Sequence, residues 1–288
     1  MLRTPPPGSG MADPTITSVS RELNGRRRDY VVSIPHGDIS CVSVLFHPFG
    51  ANAELVLHGD GPGDYLISTL TGASRPASRL GVAVVAPQAV GRAVDGVSLA
   101  WRDHLKAARK VAAEVQEAFG VDRLTAGGLS MGGLEALVFA GSFAGEVDAV
   151  WAVNPIVDLA AWHDDIANGA TSSNLRSLGA DQLIRKEVGG FPAEASEQYA
   201  RRSPLSLLDQ LARVRVRLTW TPADTVVPRQ REVHAHQLAN LLRAAEGIVD
   251  EHVVTHLPGD DALDAGRFAH ESCDTWSNIG WTTLCTEL

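Results

Sequence analysis

The sequence predicts an α/β fold in which a mostly parallel sheet is covered by helices on both faces. Short apolar runs rich in valine alternate with longer segments of helical period, which is the pattern of strands joined by crossover helices. Some runs, such as GVAVVAP at 81–87, are apolar at nearly every position, as strands buried on both faces are. With 288 residues, of which 44% are hydrophobic, the chain can bury one large core.

Seven segments are strand candidates because each is short, apolar and rich in β-branched residues. In chain order they are residues 28–35, 41–47, 81–87, 123–128, 147–155, 214–221 and 250–257. Between the third and fourth segments, apolar residues recur at helical spacing and predict a helix that lies on the sheet: Leu105, Ala108, Val111, Ala112, Val115 and Phe119.

Two stretches depart from this rhythm. Residues 1–17 contain three consecutive prolines followed by Gly-Ser-Gly and are expected to be disordered, which leaves 18–288 as a single domain. Residues 157–203 are polar, contain glycine and are weakly helical, so they predict a small cap inserted between two strands. Insertions at the carboxyl ends of parallel strands lie where ligands bind.

Charge and cysteine content limit the partners. The 25 basic and 34 acidic residues give a net charge of −9, which argues against a general nucleic-acid or anionic-membrane surface and favours a small-molecule substrate. The N-terminal residues include Pro and Gly where a signal peptide would need an apolar core, and no later run approaches the roughly 18 apolar residues of a membrane span. The chain has three cysteines, Cys41, Cys273 and Cys285, an odd number without the spacing of a metal site. This indicates reduced thiols and hence a cytoplasmic protein. The sequence leaves the oligomeric state open.

The segment Gly128-Leu129-Ser130-Met131-Gly132 fits the G-x-S-x-G pattern between a strand and a helix. A serine on such a turn is lifted above the sheet, and side chains two residues to either side would collide with the crossing strand and helix. The helix that follows directs its free N–H groups at the reacting atom. The pattern therefore predicts Ser130 as a nucleophile and the N–H of Met131 as a donor to an oxyanion.

A serine nucleophile needs a base and an orienting acid, in the chain order Ser, Asp or Glu, His on this architecture. Asp224 follows a predicted strand and is the preferred acid, with Asp158 as its rival. Of the late histidines, His256 falls inside the last predicted strand, whereas His270 lies in a loop that can reach the other two residues. His270 is therefore the preferred base.

Other conspicuous side chains receive weaker interpretations. Trp162 and Trp220 lie in the cap or near a strand end and are candidates for lining an apolar substrate pocket, as is Trp151, although buried tryptophans are more often core residues. His234 and His236 are two residues apart on a predicted helix and so point in different directions. We therefore expect no metal site.

Residues 21–285 resemble the α/β-hydrolase family, with the serine turn, Asp224 and His270 on that family's triad positions. The stretch 187–228 resembles the segment that leads to the acid in prolyl-oligopeptidase-like hydrolases. The opening 26–52 is similar to the first strands of esterases related to feruloyl esterases and polyhydroxyalkanoate depolymerases. The resemblance implies a serine enzyme that cleaves esters or peptide bonds without a cofactor.

The chain departs from the family pattern in two loops. The family's oxyanion loop usually reads His-Gly-x-Gly, but here it is His47-Pro48-Phe49-Gly50, and proline has no N–H. The N–H of Phe49 is therefore the expected second oxyanion donor, opposite Met131. The rival His58-Gly59-Asp60-Gly61 follows only three apolar residues, too few for a convincing strand. The loop before the histidine is also longer than the usual Gly-x-Gly-His connection.

These residues together predict a serine hydrolase acting on a carboxylic ester or related acyl bond through an acyl-enzyme. The same triad also serves peptidases, amidases and acyltransferases, which the sequence leaves open. An alternative of another class is a non-catalytic protein that binds a ligand on the same scaffold.

Overall fold

The computed structural model describes residues 13–58, 73–171 and 173–255, and within them the chain forms an eight-stranded sheet. The strands lie in the spatial order β1-β2-β4-β3-β5-β6-β7-β8. Their bounds are β1 Thr15–Leu23, β2 Arg26–Ile34, β3 Cys41–Phe46, β4 Val82–Pro87, β5 Leu124–Leu129, β6 Ala149–Val153, β7 Arg215–Trp220 and β8 Val249–Val253. Strands β3 to β8 pair in parallel, while β1 and β2 form an antiparallel hairpin beside β4.

Helices occupy most of the connections between these strands. Their bounds are α1 Ala53–His58, α2 Ser74–Arg79, α3 Arg102–Phe119, α4 Met131–Ser142, α5 Leu159–Ala167, α6 Ser173–Ser177, α7 Ala180–Val188, α8 Ser196–Arg201, α9 Leu208–Leu211 and α10 Ala235–Ala244. A 3-10 turn at Pro204–Leu207 precedes α9. Four of them, α5 to α8, lie in the interval between β6 and β7 where the sequence predicts an insertion.

The predicted α/β class and the seven predicted strands are confirmed. Continuous apolar runs produce strands buried on both faces, and β3, β4, β5 and β6 are buried at every position. The sequence interpretation missed β1, whose exposed and half-buried residues alternate. Because Thr15 to Thr17 pair with Val32 to Ile34 of β2, the predicted disordered tail was wrong for those residues. Residues 1–12 lie outside the described part.

The sheet separates two apolar layers. On one face, α3 and α4 pack against the central strands through a large core that contains Phe46, Leu105 and Phe139. On the other face, α1 and α2 cover Val31 and its neighbours on β3 and β4. The predicted helix on the sheet is α3, and it ends at Gly120, whose left-handed φ of 65° and N–H bond to Gln116 close its last turn. This layering places the amino ends of α3 and α4 at the carboxyl edge of the parallel strands.

Candidate active site

Ser130 occupies the junction between β5 and α4 in a strained backbone conformation. Its φ of 57° and ψ of −117° lie in a region that residues with a side chain rarely adopt. The surrounding structure holds it there, because its N–H donates to the carbonyl of Val153 at 3.0 Å and its carbonyl accepts from Leu134 at 3.0 Å. The side chain is 3% exposed. The turn thus presents the Ser130 hydroxyl at the carboxyl edge of the sheet.

The glycines on either side are required by close backbone contacts. A Cβ on Gly128 would lie 2.4 Å from the carbonyl carbon and oxygen of Gly132. A Cβ on Gly132 would lie 2.2 Å from the carbonyl oxygen of Phe46 at the end of β3. Both gaps are far below van der Waals contact, so β5, α4 and β3 can approach this closely only with hydrogen at both positions. This is the steric requirement that the G-x-S-x-G pattern predicts.

The loop after β3 lies beside this turn, since Phe46 is in register with Gly128. His47 is buried, and its ring bridges two backbone groups. Its Nδ1 donates to the carbonyl of Pro48 at 2.9 Å, and its Nε2 accepts from the N–H of Ala89 at 3.0 Å. Burial lowers the pKa of His47 to about 4, so the ring is neutral. His47 therefore fixes the loop and is committed to backbone partners.

Residues 48–51 form a turn closed by a bond from the N–H of Ala51 to the carbonyl of Pro48 at 3.1 Å. Gly50 adopts a φ of 81° at the third position, as a type II turn requires. Phe49 occupies the second position, and its N–H is not part of the closing bond. The rival oxyanion loop, His58-Gly59-Asp60-Gly61, does not follow a strand, because Ala53–His58 is a helix. Residues 59–61 lie outside the described part.

Asp224 lies in the loop that follows β7 and is 4% exposed. Its Oδ1 accepts from the N–H groups of Val226 at 2.8 Å and Val227 at 2.9 Å. Its Oδ2 accepts from Nε2 of Gln230 at 3.4 Å. These bonds hold the carboxylate in one orientation, which is what an acid that orients an imidazole needs.

One strand, β6, separates the turns that carry Ser130 and Asp224. Beyond the bond from Ser130 to Val153, the N–H of Asn154 donates to Thr219 at 2.9 Å, and the N–H of Thr221 donates to Oδ1 of Asn154 at 3.0 Å. The two loops are therefore hydrogen-bonded side by side at the same edge. Two strand spacings correspond to about 10 Å between the backbones.

No protein-family model matches the chain, and no curated protein sequence matches it. Solved structures do match. The acylaminoacyl peptidase of Pyrococcus horikoshii superposes on 90% of this chain with a TM-score of 0.62 and 15% identity, and the chain spans 40% of its length. The S-formylglutathione hydrolase of Agrobacterium tumefaciens superposes on 95% of this chain with a TM-score of 0.59 and 15% identity, over 98% of its own length. A Mycobacterium tuberculosis puromycin-hydrolyzing peptidase gives a TM-score of 0.60 and 19% identity over 86% of this chain and 36% of its own.

These structures share one architecture, and the strand order of the present sheet agrees with it. The chain has the α/β-hydrolase fold. The fold expected from the resemblance in the sequence is thereby confirmed.

Within the α/β-hydrolase fold, the rival acid Asp158 has a local task. It precedes α5, and its Oδ1 accepts from the N–H of Ala161 at 2.9 Å, which is an N-terminal cap. Asp224 likewise accepts nearby backbone N–H groups, from Val226 and Val227, so the preference for Asp224 over Asp158 as the acid stays a prediction.

Both candidate bases, His256 and His270, lie outside the described residues. The reason for preferring His270 was partly wrong, because β8 ends at Val253 and does not extend to residue 256. Both histidines therefore follow the last described strand, and the choice between them stays a prediction.

The two tryptophans proposed for a substrate pocket are each 1% exposed. Nε1 of Trp162 donates to the carbonyl of Val226 at 2.9 Å and so ties α5 to the loop of Asp224. Nε1 of Trp220 donates to Oε1 of Glu251 at 2.8 Å. These contacts give both indoles a packing role, and contact with a substrate stays a prediction. Trp151 packs against Gly127, where its ring would lie 1.9 Å from an added Cβ.

The remaining histidines have separate environments. Nδ1 of His234 accepts from the N–H groups of Val157 and Asp158 at 3.2 and 3.3 Å, and burial lowers its pKa to about 3. His236 instead pairs with Glu251 at 2.8 Å. In the described ranges, no cluster of three or more His, Cys, Asp or Glu side chains is arranged to hold a metal ion. No helix there is long and apolar enough to cross a membrane.

The sequence interpretation missed two residues that contact Asp224 or the start of its loop. Gln230 contacts Asp224 and also donates to the carbonyls of Pro155 and Val227 at 3.3 and 3.2 Å. Asn154, with a φ of 37°, bridges β6 to the start of the acid loop. A polar residue a few positions after an acid is common, so neither residue carried a distinctive signal.

Proposed function

We propose that the chain is a serine hydrolase that cleaves a carboxylic ester or related acyl bond of a small molecule. The observation that carries the proposal is the strained conformation of Ser130, held between two glycines that cannot bear a side chain. Strain of this kind is kept only where the surrounding structure determines it, and it concentrates at functional sites. The free N–H groups at the start of α4 face the same edge.

In the proposed mechanism, Ser130 attacks the acyl carbon while His270 takes the serine proton. Asp224 orients the imidazole and stabilises its charged form. The N–H groups of Met131 and Phe49 receive the negative charge on the carbonyl oxygen. The leaving group departs with the proton from the imidazole, and water then releases the acyl group from the serine by the same steps in reverse order. No cofactor takes part in this sequence.

The spacing of the two loops supports this arrangement. Their backbones are about 10 Å apart, and the side chains of Ser130 and Asp224 extend from the same edge. An imidazole with a hydrogen bond of about 2.8 Å at each nitrogen fits between such groups. Three donors already orient the side chain of Asp224, so the imidazole of the proposed base would meet a carboxylate that is held in place.

An esterase is preferred to a peptidase on the extent of the structural likeness. The S-formylglutathione hydrolase is matched over 98% of its length, whereas the acylaminoacyl peptidase is matched over 40%. The peptidase or amidase reading remains the second candidate because several of the similar structures are peptidases. Acyl transfer to an acceptor other than water uses the same residues. A non-catalytic binding protein is the alternative of another class.

Labelling with a fluorophosphonate probe tests the nucleophile directly. We expect the wild-type chain to be labelled, and Ser130→Ala to lose both labelling and hydrolysis of p-nitrophenyl acetate. Ser142→Ala, an exposed serine at the end of α4, serves as the matched control and should keep both. Labelling that persists in Ser130→Ala rejects the assignment, and a wild-type chain that is never labelled favours the binding protein.

Two further comparisons separate the open alternatives. The rates on p-nitrophenyl acetate and on an aminoacyl p-nitroanilide distinguish an esterase from a peptidase. His270→Ala and His256→Ala, measured side by side, identify the base. Loss of turnover in His256→Ala alone would transfer that role to His256.

A further inference from the structure

A second polar cluster lies buried beside the candidate active site. Its centre is Glu135, which is in α4, five residues after Ser130, and is 1% exposed. The hydroxyl of Ser98 and the N–H of Ala100 donate to its carboxyl group. Nε2 of His104, on α3, lies 3.9 Å from Oε2 of Glu135. The proposed mechanism uses none of these groups.

Among the described residues, no cation forms an ion pair with the Glu135 carboxyl, although Arg202 attracts a carboxylate there from a longer distance. Burial, and to a smaller extent the positive charge of Arg28, lowers the pKa of His104 to about 3, so the ring is neutral. Arg202 is the other cation nearby, but its Nη1 is 3.0 Å from Oε1 of Glu187, whose negative charge opposes that of Glu135. Burial accordingly raises the pKa of Glu135 to about 8. Glu135 is therefore protonated at neutral pH.

Among the described residues, three titratable or charged groups face Glu135 from the elements around it. α3 contributes His104, the segment after α8 contributes Arg202, and α7 contributes Glu187. Glu135 is the only charged residue of α4 itself. The donors from the loop, Ser98 and the N–H of Ala100, do not titrate in this range. A single proton on Glu135 thus decides the charge of the cluster.

The cluster holds the loop between β4 and α3, residues 88–101, in a strained conformation. Leu99 and Ala100 have φ values of 44° and 57°, two consecutive left-handed residues that both carry a side chain. Besides the bonds to Glu135, Nη1 of Arg202 donates to the carbonyls of Ser98 at 3.0 Å and Leu99 at 3.3 Å. Two left-handed residues in a row persist only where such contacts enforce them.

The middle of the same loop is bound to the predicted cap. The carboxylate of Glu187, on α7, accepts from the N–H groups of Arg92 at 2.6 Å, Ala93 at 2.7 Å and Val94 at 3.2 Å. Gly91 is in contact as well, since a Cβ there would lie 2.5 Å from Oε2 of Glu187. The loop is therefore clamped between α4 on one side and α7 on the other.

The start of the loop reaches the predicted oxyanion loop. The N–H of Ala89 donates to Nε2 of His47, which precedes Pro48 and Phe49. Oε1 of Gln88 accepts from the N–H of Ala53 at 3.1 Å, just after that turn. A change in residues 88–101 would therefore act on the backbone that carries the Phe49 N–H.

We infer that protonated Glu135 is a positioning residue that latches the 88–101 loop to the nucleophile-bearing helix, and that loss of its proton favours release of the loop. In the latched form, the carboxyl group bonds to Ser98 and Ala100. In the released form, the carboxylate reaches water and the strain at Leu99 and Ala100 is relieved. The effect on catalysis rests on the proposed function, whereas the latch itself does not.

Hydrogen exchange of the 88–101 amides tests the latch. Wild type and Glu135→Gln are compared at the same pH from 5 to 9.5, so that intrinsic exchange cancels. The amide has the shape of the protonated carboxyl but cannot ionise. The exchange rates give an opening constant, which is the equilibrium ratio of the released to the latched form. Because the released form binds one proton fewer, the opening constant of wild type should rise relative to that of Glu135→Gln by about tenfold for each pH unit. The rise should start just above the ordinary glutamate pKa and level off near pH 8.

Two further variants make the test independent of how well Glu135→Gln folds. The Ser98 bond lowers the pKa of Glu135, so Ser98→Ala should move the point at which the opening constant levels off to higher pH. Glu117→Gln, an exposed acid on α3, is the matched control and should follow wild type. Equal exchange in wild type and Glu135→Gln at every pH, or a levelling point that Ser98→Ala leaves in place, overturns the latch.

The rate of ester hydrolysis from pH 5 to 9.5 tests the link to catalysis separately. We expect the ratio of kcat/KM in wild type to kcat/KM in Glu135→Gln to fall over the pH range in which the opening constant rises, and to level off near pH 8. If exchange follows the predicted course while this ratio stays the same at every pH, the latch stands and its connection to the oxyanion loop is wrong. If no variant hydrolyses any ester, the proposed function is wrong, and the exchange result still decides the latch.

Discussion

The contact between α4 and β3 gives the sharpest prediction for the nucleophile turn. In Gly132→Ala, the new Cβ would lie 2.2 Å from the carbonyl oxygen of Phe46, and ordinary contact begins at 3.4 Å, so about 1.2 Å (3.4 − 2.2) must be recovered. The atoms involved are backbone on both sides, and no side chain can rotate away. Overpacking of this kind costs about 1–3 kcal/mol. We expect about 3 kcal/mol, since helix, strand and the strained Ser130 must shift together.

At about 2–4 °C of melting temperature for each kcal/mol, this change corresponds to a fall of about 6–12 °C. Thermal unfolding followed by circular dichroism measures it. Gly145→Ala is the matched control, because a Cβ at Gly145 meets nothing within 4 Å. If Gly132→Ala melts within 1 or 2 °C (roughly 0.5 kcal/mol) of Gly145→Ala, the close approach of α4 to β3 is not as described. Fluorophosphonate labelling of the same variant then shows whether the displaced serine still reacts.

Two further predictions concern buried charge. Glu187→Gln leaves the buried Arg202 without its anion and should lower the free energy of unfolding, measured by urea titration, by about 3–5 kcal/mol. Glu197→Gln breaks an exposed ion pair and should lower the same free energy by less than about 1 kcal/mol. Equal effects of the two substitutions would contradict the clamp of the 88–101 loop by Glu187. Arg28 is buried with no hydrogen bond from any of its three guanidinium nitrogens to the described residues, so Arg28→Met should raise that free energy by about 1 kcal/mol, while the exposed Arg27→Met should not. A lower stability of Arg28→Met would mean that the contact of the guanidinium with the Trp101 ring stabilises the protein by more than the burial of the charge destabilises it.

The parts of the fold that the sequence predicts are those whose signal is local. A strand buried on both faces must be apolar along its whole length, so 81–87 and 41–47 are visible without any knowledge of their neighbours. The edge strand Thr15–Leu23 lacks this signal, because its residues are exposed or half-buried and its pairing to β2 depends on the hairpin turn. The boundary of the disordered tail was misplaced for the same reason.

The candidate site divides in the same way. The turn at Ser130 is predictable because its steric demands fall within five consecutive residues. The setting of His47 is not, since the bond from the N–H of Ala89 to its ring joins the ends of two different strands. Gln230 reaches Asp224 only because the loop folds back on itself, and no spacing in the sequence specifies that. Residues that act through distant backbone groups leave no local pattern.

Helix α4 links the two strained places in the molecule. It begins directly after Ser130, and its second turn carries Glu135, which bonds to the loop of Leu99 and Ala100. Every other side chain of this helix is uncharged, and a negative charge on the buried Glu135 carboxyl would oppose its burial. The proton on that carboxyl therefore contributes to the packing of the helix that positions the serine. An acid in this place gives the site a dependence on pH that glutamine or leucine in the same position would remove.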